Sequence, residues 1–350
     1  MNRIQIEVSI PYQVIIGEEI LRQIGTYVTE TCKAERVVII SDTNVWPLYG
    51  DTVVQSLCDR QVASIRYVVP AGEQCKSLHM YTEIITFLTE NHLTRSDAII
   101  ALGGGTVGDL AGFVAATYLR GIPLIQVPTS LLAMVDSSVG GKTALDLPMG
   151  KNLIGTFYHP RLVICDIETL RTLPTALFHD GCAEVIKYGI LYDANLFMHL
   201  QDRGTSFDRE YVISRCIELK AEVVETDEFD HAERQKLNLG HTIGHALETL
   251  SAFALSHGQA VAAGIAIVAR SALQSQYCSP ETTEQIIALL KQFQLPIDTH
   301  YTSYDISCVA GIDKKRRNNV INLIIPKRIG ECIIEAIPIG HLESFIEAGL

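Results

Sequence analysis

The chain has no basic excess: 28 Lys and Arg stand against 40 Asp and Glu, for a formal net charge of −12. Nonspecific binding to nucleic acid or to an anionic membrane needs a basic surface, so both are excluded as the main activity. A local cluster of Lys and Arg in a pocket is still compatible with an anionic substrate. CxxC pairs are also missing. The nine cysteines (Cys32, Cys58, Cys75, Cys165, Cys182, Cys216, Cys278, Cys308 and Cys332) are odd in number and scattered, which reads as free thiols of a reducing compartment. Long apolar runs are absent. The most apolar helix-like stretch, residues 260–269, falls well short of the roughly 20 residues that span a bilayer. The first eight residues alternate apolar and polar like a strand and lack a signal-peptide core. No internal repeat, low-complexity tract or long linker is present. Together these absences predict a cytoplasmic protein with neither a membrane nor a nucleic-acid partner.

What is present is material for two cores. The chain has 350 residues, of which 47% are hydrophobic and 19% charged, as in a well-packed enzyme. In the first half, strand signals at 36–41, 64–69, 97–102, 123–127 and 162–165 alternate with helical stretches such as 77–90 and 107–119. That alternation predicts an α/β domain with a parallel, Rossmann-like sheet. Past about residue 170 the spacing is helical (180–200, 209–227, 237–254, 257–276 and 280–293), with a late strand pair near 320–337. Gly155, Pro160 and Pro174 break the pattern between the halves. The expected domains are 1–165 and 166–350, the second mostly helical.

Three motifs carry chemistry. Residues 103–109, Gly-Gly-Gly-Thr-Val-Gly-Asp, follow a strand and open a helix, where backbone N–H groups and the helix dipole favour a pyrophosphate. An isolated glycine run is more often a tight turn; the strand context favours phosphate binding. The acid that ends a strand, Asp42, comes before this loop and not about 20 residues after it, a departure from the usual dinucleotide fingerprint. Residues 136–143, Asp-Ser-Ser-Val-Gly-Gly-Lys-Thr, are small and polar but lack P-loop spacing. Finally, His241, His245 and His257 fall within seventeen residues, downstream of Glu184. Imidazoles with a carboxylate suit Zn²⁺ or a similar divalent ion. His241 and His245, four apart, share a helix face, and spacing alone makes both of them ligands; a packing role for one is an equally good reading. The basic run 313–317 reads as a solvated loop or as an anion-binding flap.

In order along the chain, Asp42-Thr-Asn44, Gly72-Glu73 with Lys76, and the segments 103–109, 118–121, 128–132, 136–143, 150–152, 181–187, 237–245, 256–258 and 313–315 resemble 3-dehydroquinate synthase over about residues 35–330. The resemblance implies an NAD-binding α/β domain and a helical metal-binding domain. It makes Glu184, His241 and His257 the ligands of Zn²⁺ or Co²⁺, with His245 an active-site residue and not a ligand. It implies NAD contacts from Asp42, Asn44, Gly72, Glu73, Lys76, Gly104, Gly105, Thr106, Val107, Gly108, Asp109, Thr129, Ser130, Lys142, Lys151, Thr169 and Thr172. Substrate groups would be Asp136, Lys142, Asn152, Lys187, Lys220, Arg234, Asn238, His245 and Lys315. Arg120 resembles an arginine that reaches the partner subunit's site, so a homodimer is implied. The implied reaction is that of the shikimate pathway, 3-deoxy-D-arabino-heptulosonate 7-phosphate to 3-dehydroquinate and phosphate. Asp230, Ala232 and the pair Asn318/Asn319 depart from the family's usual residues at the substrate rim. Rival readings are other sugar phosphate cyclases, an iron-type alcohol or glycerol dehydrogenase, and a decayed homologue kept for binding. Intact ligands argue against the last.

Overall fold

The computed structural model describes residues 1–312 and 319–350. Lys315 and Asn318, named above, lie outside the described residues. In chain order the strands and helices are β1 (Asn2–Ile6), β2 (Tyr12–Gly17), α1 (Ile24–Thr31), β3 (Arg36–Asp42), α2 (Trp46–Cys58), β4 (Ala63–Val69), α3 (Leu78–Glu90), β5 (Ala98–Gly103), α4 (Gly105–Thr117), β6 (Leu124–Pro128), β7 (Lys142–Leu147), β8 (Gly150–Phe157) and β9 (Leu162–Asp166). There follow α5 (Thr175–Tyr192), α6 (Ala194–Arg203), α7 (Arg209–Thr226), α8 (His241–Leu250), α9 (His257–Gln274), α10 (Pro280–Gln292), α11 (Ser303–Ile312), β10 (Val320–Arg328), β11 (Glu331–Pro338) and α12 (Ile339–Glu347).

Two compact units result. The first joins Met1–Pro174 with Arg209–Phe229; the second joins Thr175–Asp208 with Asp230–Leu350.

The first unit is built on a seven-stranded sheet of order β1-β2-β9-β6-β5-β3-β4. All of its pairings are parallel except the edge pair β1–β2. Central strands buried on both faces read as unbroken apolar runs. Their side chains split by the two-residue period: Val37, Ile39, Ile100 and Leu102 enter one core with α1 and α2 residues. Val38, Ile40, Ile99 and Ala101 enter the other with α3 and α4 residues. Strand order reverses between β3, whose next strand is β4, and β5, whose next strand is β6 on the other side. In a doubly wound sheet the ligand crevice lies at the carboxyl ends of the strands at that reversal. Here those ends are Asp42 and Gly103.

A β7–β8 hairpin packs beside α4. It has no counterpart in the sequence reading, because residues 150–157 are mostly exposed or half-buried and show no apolar alternation. Helix α7 lies against β1, β2 and the turn Ala133–Ser137.

The second unit is helical around α9, which is buried almost continuously from Gly258 to Ala272 and touches α5, α8, α10, α12 and β10. Small residues along it (Ala260, Ala262, Ala263, Gly264, Ala266) allow helices to approach closely. The β10–β11 hairpin completes the unit. No helix among the described residues is long and apolar enough to cross a membrane.

Candidate active site

In the second unit, three helices each deliver one side chain to a single point. Glu184 comes from the middle of α5 and is 0% exposed. His241 opens α8 directly after Gly240, whose φ of 77° turns the chain into the helix. His257 opens α9 after Ser256, which with Gln259 forms a capping box. Asp180, one turn before Glu184 on α5, accepts hydrogen bonds from Ser256 Oγ and from Gln259 N (3.1 Å). A Cβ on Gly258 would sit 2.0 Å from the Asp180 carbonyl oxygen, so only glycine fits between the two helices. The Ser-His-Gly sequence is the visible half of this joint; nothing in the sequence pairs it with Asp180.

Both histidines turn Nε2 toward the same oxygen. His257 Nε2 lies 3.2 Å, and His241 Nε2 3.4 Å, from Glu184 Oε1. A tetrahedral ion with bonds of about 2.1 Å separates neighbouring ligand atoms by about 3.4 Å, so this set fits a small divalent ion. Lys187, 1% exposed, pairs with Glu184 Oε2. His245 stands one turn beyond His241, its ring 5.3 Å from that of His241 and 6.1 Å from that of His257. It groups with Glu248 and His257 in a second set whose ligand atoms also lie within 4.8 Å of one another.

Burial, with the Lys187 charge, pushes His241 down to about 3. Burial opposes charge on His257 too, yet the carboxylates of Glu184 and Glu248 push it up to about 10. Arg234, 1% exposed, sits in the short helix Glu233–Asn238 just before α8, with Asn238 exposed at its end. Asp230 has a φ of 62°, a conformation that Asp tolerates better than most residues.

The first unit carries the second cluster, at the crevice. Gly104 leads into α4 with no side-chain cap, which leaves the first-turn N–H groups of Gly105, Thr106 and Val107 available to an anion. Around them, Lys76 (3% exposed) reaches Asp109 at 2.9 Å and Asn152 Oδ1 at 2.6 Å. Glu73 lies 3.5 Å and Asp146 3.7 Å from the same ammonium. Burial opposes charge on Lys76, but Asp109 and Glu73 hold its pKa above the usual lysine value. Burial raises Asp109 even against that neighbour. Thr106 Oγ1 donates to Glu73 at 3.2 Å, and Lys151 lies 3.8 Å from it. Asp146, which sequence reasoning missed, accepts from Asn152 N at 2.7 Å and holds Asn152 at a φ of 56°.

Asp42 accepts from Asn44 N and Val45 N at 2.8 and 2.9 Å. Thr129 N donates to Gly103 O at 2.9 Å, which sets Ser130 next to the glycine loop. Lys220 on α7 donates to Asp136 O and Oδ1 at 2.6 and 2.7 Å. Lys142, exposed, begins β7. Thr169 and Thr172 lie in the turn after β9; Tyr49 donates to Thr169 O and is hydrogen-bonded to the Thr172 hydroxyl. Gly72, φ 107°, leads into the Glu73 turn. Arg120 stands apart. It is exposed after α4, and a 13-residue helix carries the chain about 20 Å away from the glycine loop.

Among solved structures, the chain is similar to 2-deoxy-scyllo-inosose synthase complexed with carbaglucose-6-phosphate, NAD⁺ and Co²⁺. That likeness has 25% identity, a TM-score of 0.90 and full coverage of both chains. A 2-epi-5-epi-valiolone synthase from Streptomyces hygroscopicus with NAD⁺ and Zn²⁺ bound has the same fold (23% identity, TM-score 0.87, 97% of this chain and 96% of that one). An iron-containing alcohol dehydrogenase is more distant (15% identity, TM-score 0.70, 98% of each chain). Fold and site thus define a sugar phosphate cyclase, an enzyme that closes a carbocycle. The models for the N-terminal and C-terminal parts of 3-dehydroquinate synthase match residues 66–180 and 181–316. The 3-dehydroquinate synthases of Clostridium acetobutylicum (42% identity, 93% of each chain) and Pelobacter propionicus (45%, 92% of each) align over nearly the whole length. The chain belongs to the 3-dehydroquinate synthase family.

Proposed function

We propose that this enzyme converts 3-deoxy-D-arabino-heptulosonate 7-phosphate to 3-dehydroquinate and phosphate, with NAD⁺ and Zn²⁺ or Co²⁺ as cofactors. The observation that carries the reading is the convergence of Glu184, His241 and His257 at tetrahedral-edge spacing, with the buried cation Lys187 beside them. Family membership supports it.

NAD⁺, when bound, would accept a hydride from a ring carbon of the substrate and return it, and a divalent ion, when bound, would polarise the hydroxyl carried by that carbon. Glu184, His241 and His257 would hold the ion. Asp42, Asn44, the Gly72–Glu73–Lys76 turn, Gly104 to Asp109, Thr129, Ser130, Lys142, Lys151, Thr169 and Thr172 would hold the nucleotide, the α4 amides meeting its pyrophosphate.

The other residues act on the sugar. Lys142, Lys187, Lys220 and Arg234 bind its carboxylate and phosphate by charge-assisted hydrogen bonds, and Lys315 adds to that set. Asp136 orients Lys220. Asn152, Asn238 and His245 position hydroxyl groups, and His245 offers an imidazole for proton exchange there. Holding the chain of the substrate in one arrangement favours phosphate departure and then the intramolecular aldol closure over side reactions. Arg120, displaced from its own glycine loop, serves the corresponding site of a second copy in a homodimer. We assign the enzyme to the cytoplasm and to the shikimate pathway.

The test is phosphate release, with NAD⁺ and Zn²⁺ present, from the heptulosonate phosphate set against the sugar phosphates used by 2-deoxy-scyllo-inosose and valiolone-type synthases. Release from the heptulosonate phosphate alone is expected. Preference for a substrate without a carboxylate would overturn the assignment.

A further inference from the structure

We infer that Glu248 is a positioning residue for the ion, fixing which ring nitrogen His257 presents. The inference rests on the metal-centre reading above and deepens it. An imidazole can ligate through Nε2 only with its remaining proton on Nδ1, and an acceptor facing Nδ1 selects that tautomer and ring plane. Both ligand histidines are built this way. His241 Nδ1 faces the backbone carbonyl of Leu239 at 3.1 Å while its Nε2 faces Glu184. His257 Nδ1 faces Glu248 Oε2 at 3.6 Å while its Nε2 faces the same Glu184 oxygen. A small tilt of the ring brings that first distance into hydrogen-bonding range.

Glu248 is 2% exposed. It lies seven residues after His241, two turns along α8, and so shares the face that His241 and His245 occupy. That spacing was the available sequence signal, but a glutamate ending a helical motif reads equally well as a solvated charge. Its carboxylate also differs from the Leu239 carbonyl in carrying a full charge. Together Glu184, Glu248 and Lys187 leave one net negative charge around a divalent ion. Without Glu248 that local balance is neutral, and the ion's own charge is left less compensated in a buried place.

The competing arrangement makes Glu248 a direct ligand, with His245 and His257. It is disfavoured because His245 is exposed, whereas the fully buried Glu184 already receives two imidazole nitrogens on one oxygen.

The experiment titrates Co²⁺ into apo wild type, Glu248→Gln, Glu248→Ala and His245→Ala against a competing chelator, with neither NAD⁺ nor sugar phosphate present. Visible ligand-field bands are recorded alongside. Glutamine keeps an acceptor oxygen but not the charge. Glu248→Gln is expected to bind one ion about 10-fold more weakly, and Glu248→Ala more weakly still, within the 10- to 100-fold range of outer-shell losses. The band shape stays that of wild type, and His245→Ala keeps its ion. Wild-type affinity in Glu248→Gln overturns the inference. So does complete loss of binding in both Glu248 variants with an altered Co²⁺ spectrum, which would make Glu248 a ligand. Should Glu248→Ala fail to fold, Glu248→Gln decides alone. Because no substrate is present, a wild type that fails to release phosphate rejects the proposed reaction while leaving this measurement intact.

Discussion

Substituting Gly264 by alanine should cost the enzyme both stability and its ion, although Gly264 is not a ligand. Gly264 lies on α9 where that helix crosses the start of α8. A Cβ added there would stand 2.2 Å from the carbonyl oxygen of Gly240, 3.1 Å from its carbonyl carbon and 3.0 Å from the Gly244 nitrogen. Two effects oppose each other. Alanine is the better helix former by about 1 kcal/mol. Against that, carbon–oxygen contact needs more than 3 Å, so the helices must part by about 1 Å, and overpacking of this kind costs about 1–3 kcal/mol. The obstacle is backbone and cannot swing aside as a side chain would, so the clash wins. Gly240 immediately precedes His241, so the displacement passes straight to a ligand, where ligand distances must hold to about 0.2 Å. Differential scanning calorimetry with and without chelator, together with metal analysis, reads both effects. A fall of several degrees in Tm at about 2–4 °C per kcal/mol is expected, with substoichiometric metal. Gly340→Ala on α12, where an added Cβ meets nothing within 4 Å, is the matched control and should be neutral or slightly stabilising. If Gly264→Ala melts like wild type and carries a full complement of metal, the close-approach argument is refuted.

Chelation should abolish turnover and Zn²⁺ or Co²⁺ restore it; His241→Ala and His257→Ala should purify without metal, while His245→Ala keeps it and turns over slowly. A loaded His257 variant beside a metal-free His245 variant would show the ligand set to be wrong. NAD⁺ should be required yet not consumed, so absorbance at the NADH wavelength stays flat while phosphate accumulates; NADH formed in step with product would instead mark a dehydrogenase. Asp97 accepts from Arg36 at 2.7 Å and from Thr94 N at 2.7 Å. Burial raises its pKa, but these partners outweigh burial and lower it overall. A depressed carboxylate stabilises the fold above its unfolded pKa of about 3.9 and ceases to do so as pH falls through the folded value. Asp97→Asn should therefore lose about 1–3 kcal/mol at neutral pH, and the gap to wild type should close in strong acid; a gap independent of pH would remove the ionic explanation.

The sheet was legible because strands buried on both faces need unbroken apolar runs, and those runs stand out around Val38 and Ile100. The β7–β8 hairpin was not, since its second strand is largely exposed and carries Gly150, Lys151 and Asn152 where a buried strand would show apolar alternation. Helical spacing located α7 but said nothing about which core it joins; its partners β1 and β2 are some 200 residues earlier in the chain. At the site, spacing alone treated His241 and His245 alike, because both lie on one face of α8. What separates them is a third element, α5, whose Glu184 oxygen lies within 3.4 Å of His241 Nε2, and no local pattern encodes that meeting. Asp146, Asp180 and Glu248 went unassigned for the same reason: each acts by holding another residue, and such a role leaves no motif.

The joint at Asp180, Ser256 and Gly258 also bears on how the chain can vary. One turn of α5 both presents Glu184 and caps the helix that begins with His257, so two of the three proposed ligands are placed by a contact that forms when the unit folds. Little conformational entropy is then left to lose when an ion arrives, and tight binding does not have to be supplied by ligand strength alone. The corollary is a constraint on inheritance. Position 258, which never touches an ion in the proposed centre, has no room for a side chain beside the Asp180 carbonyl, whereas the half-buried Asp230 and the exposed Asn238 lie outside that joint and can change without disturbing it.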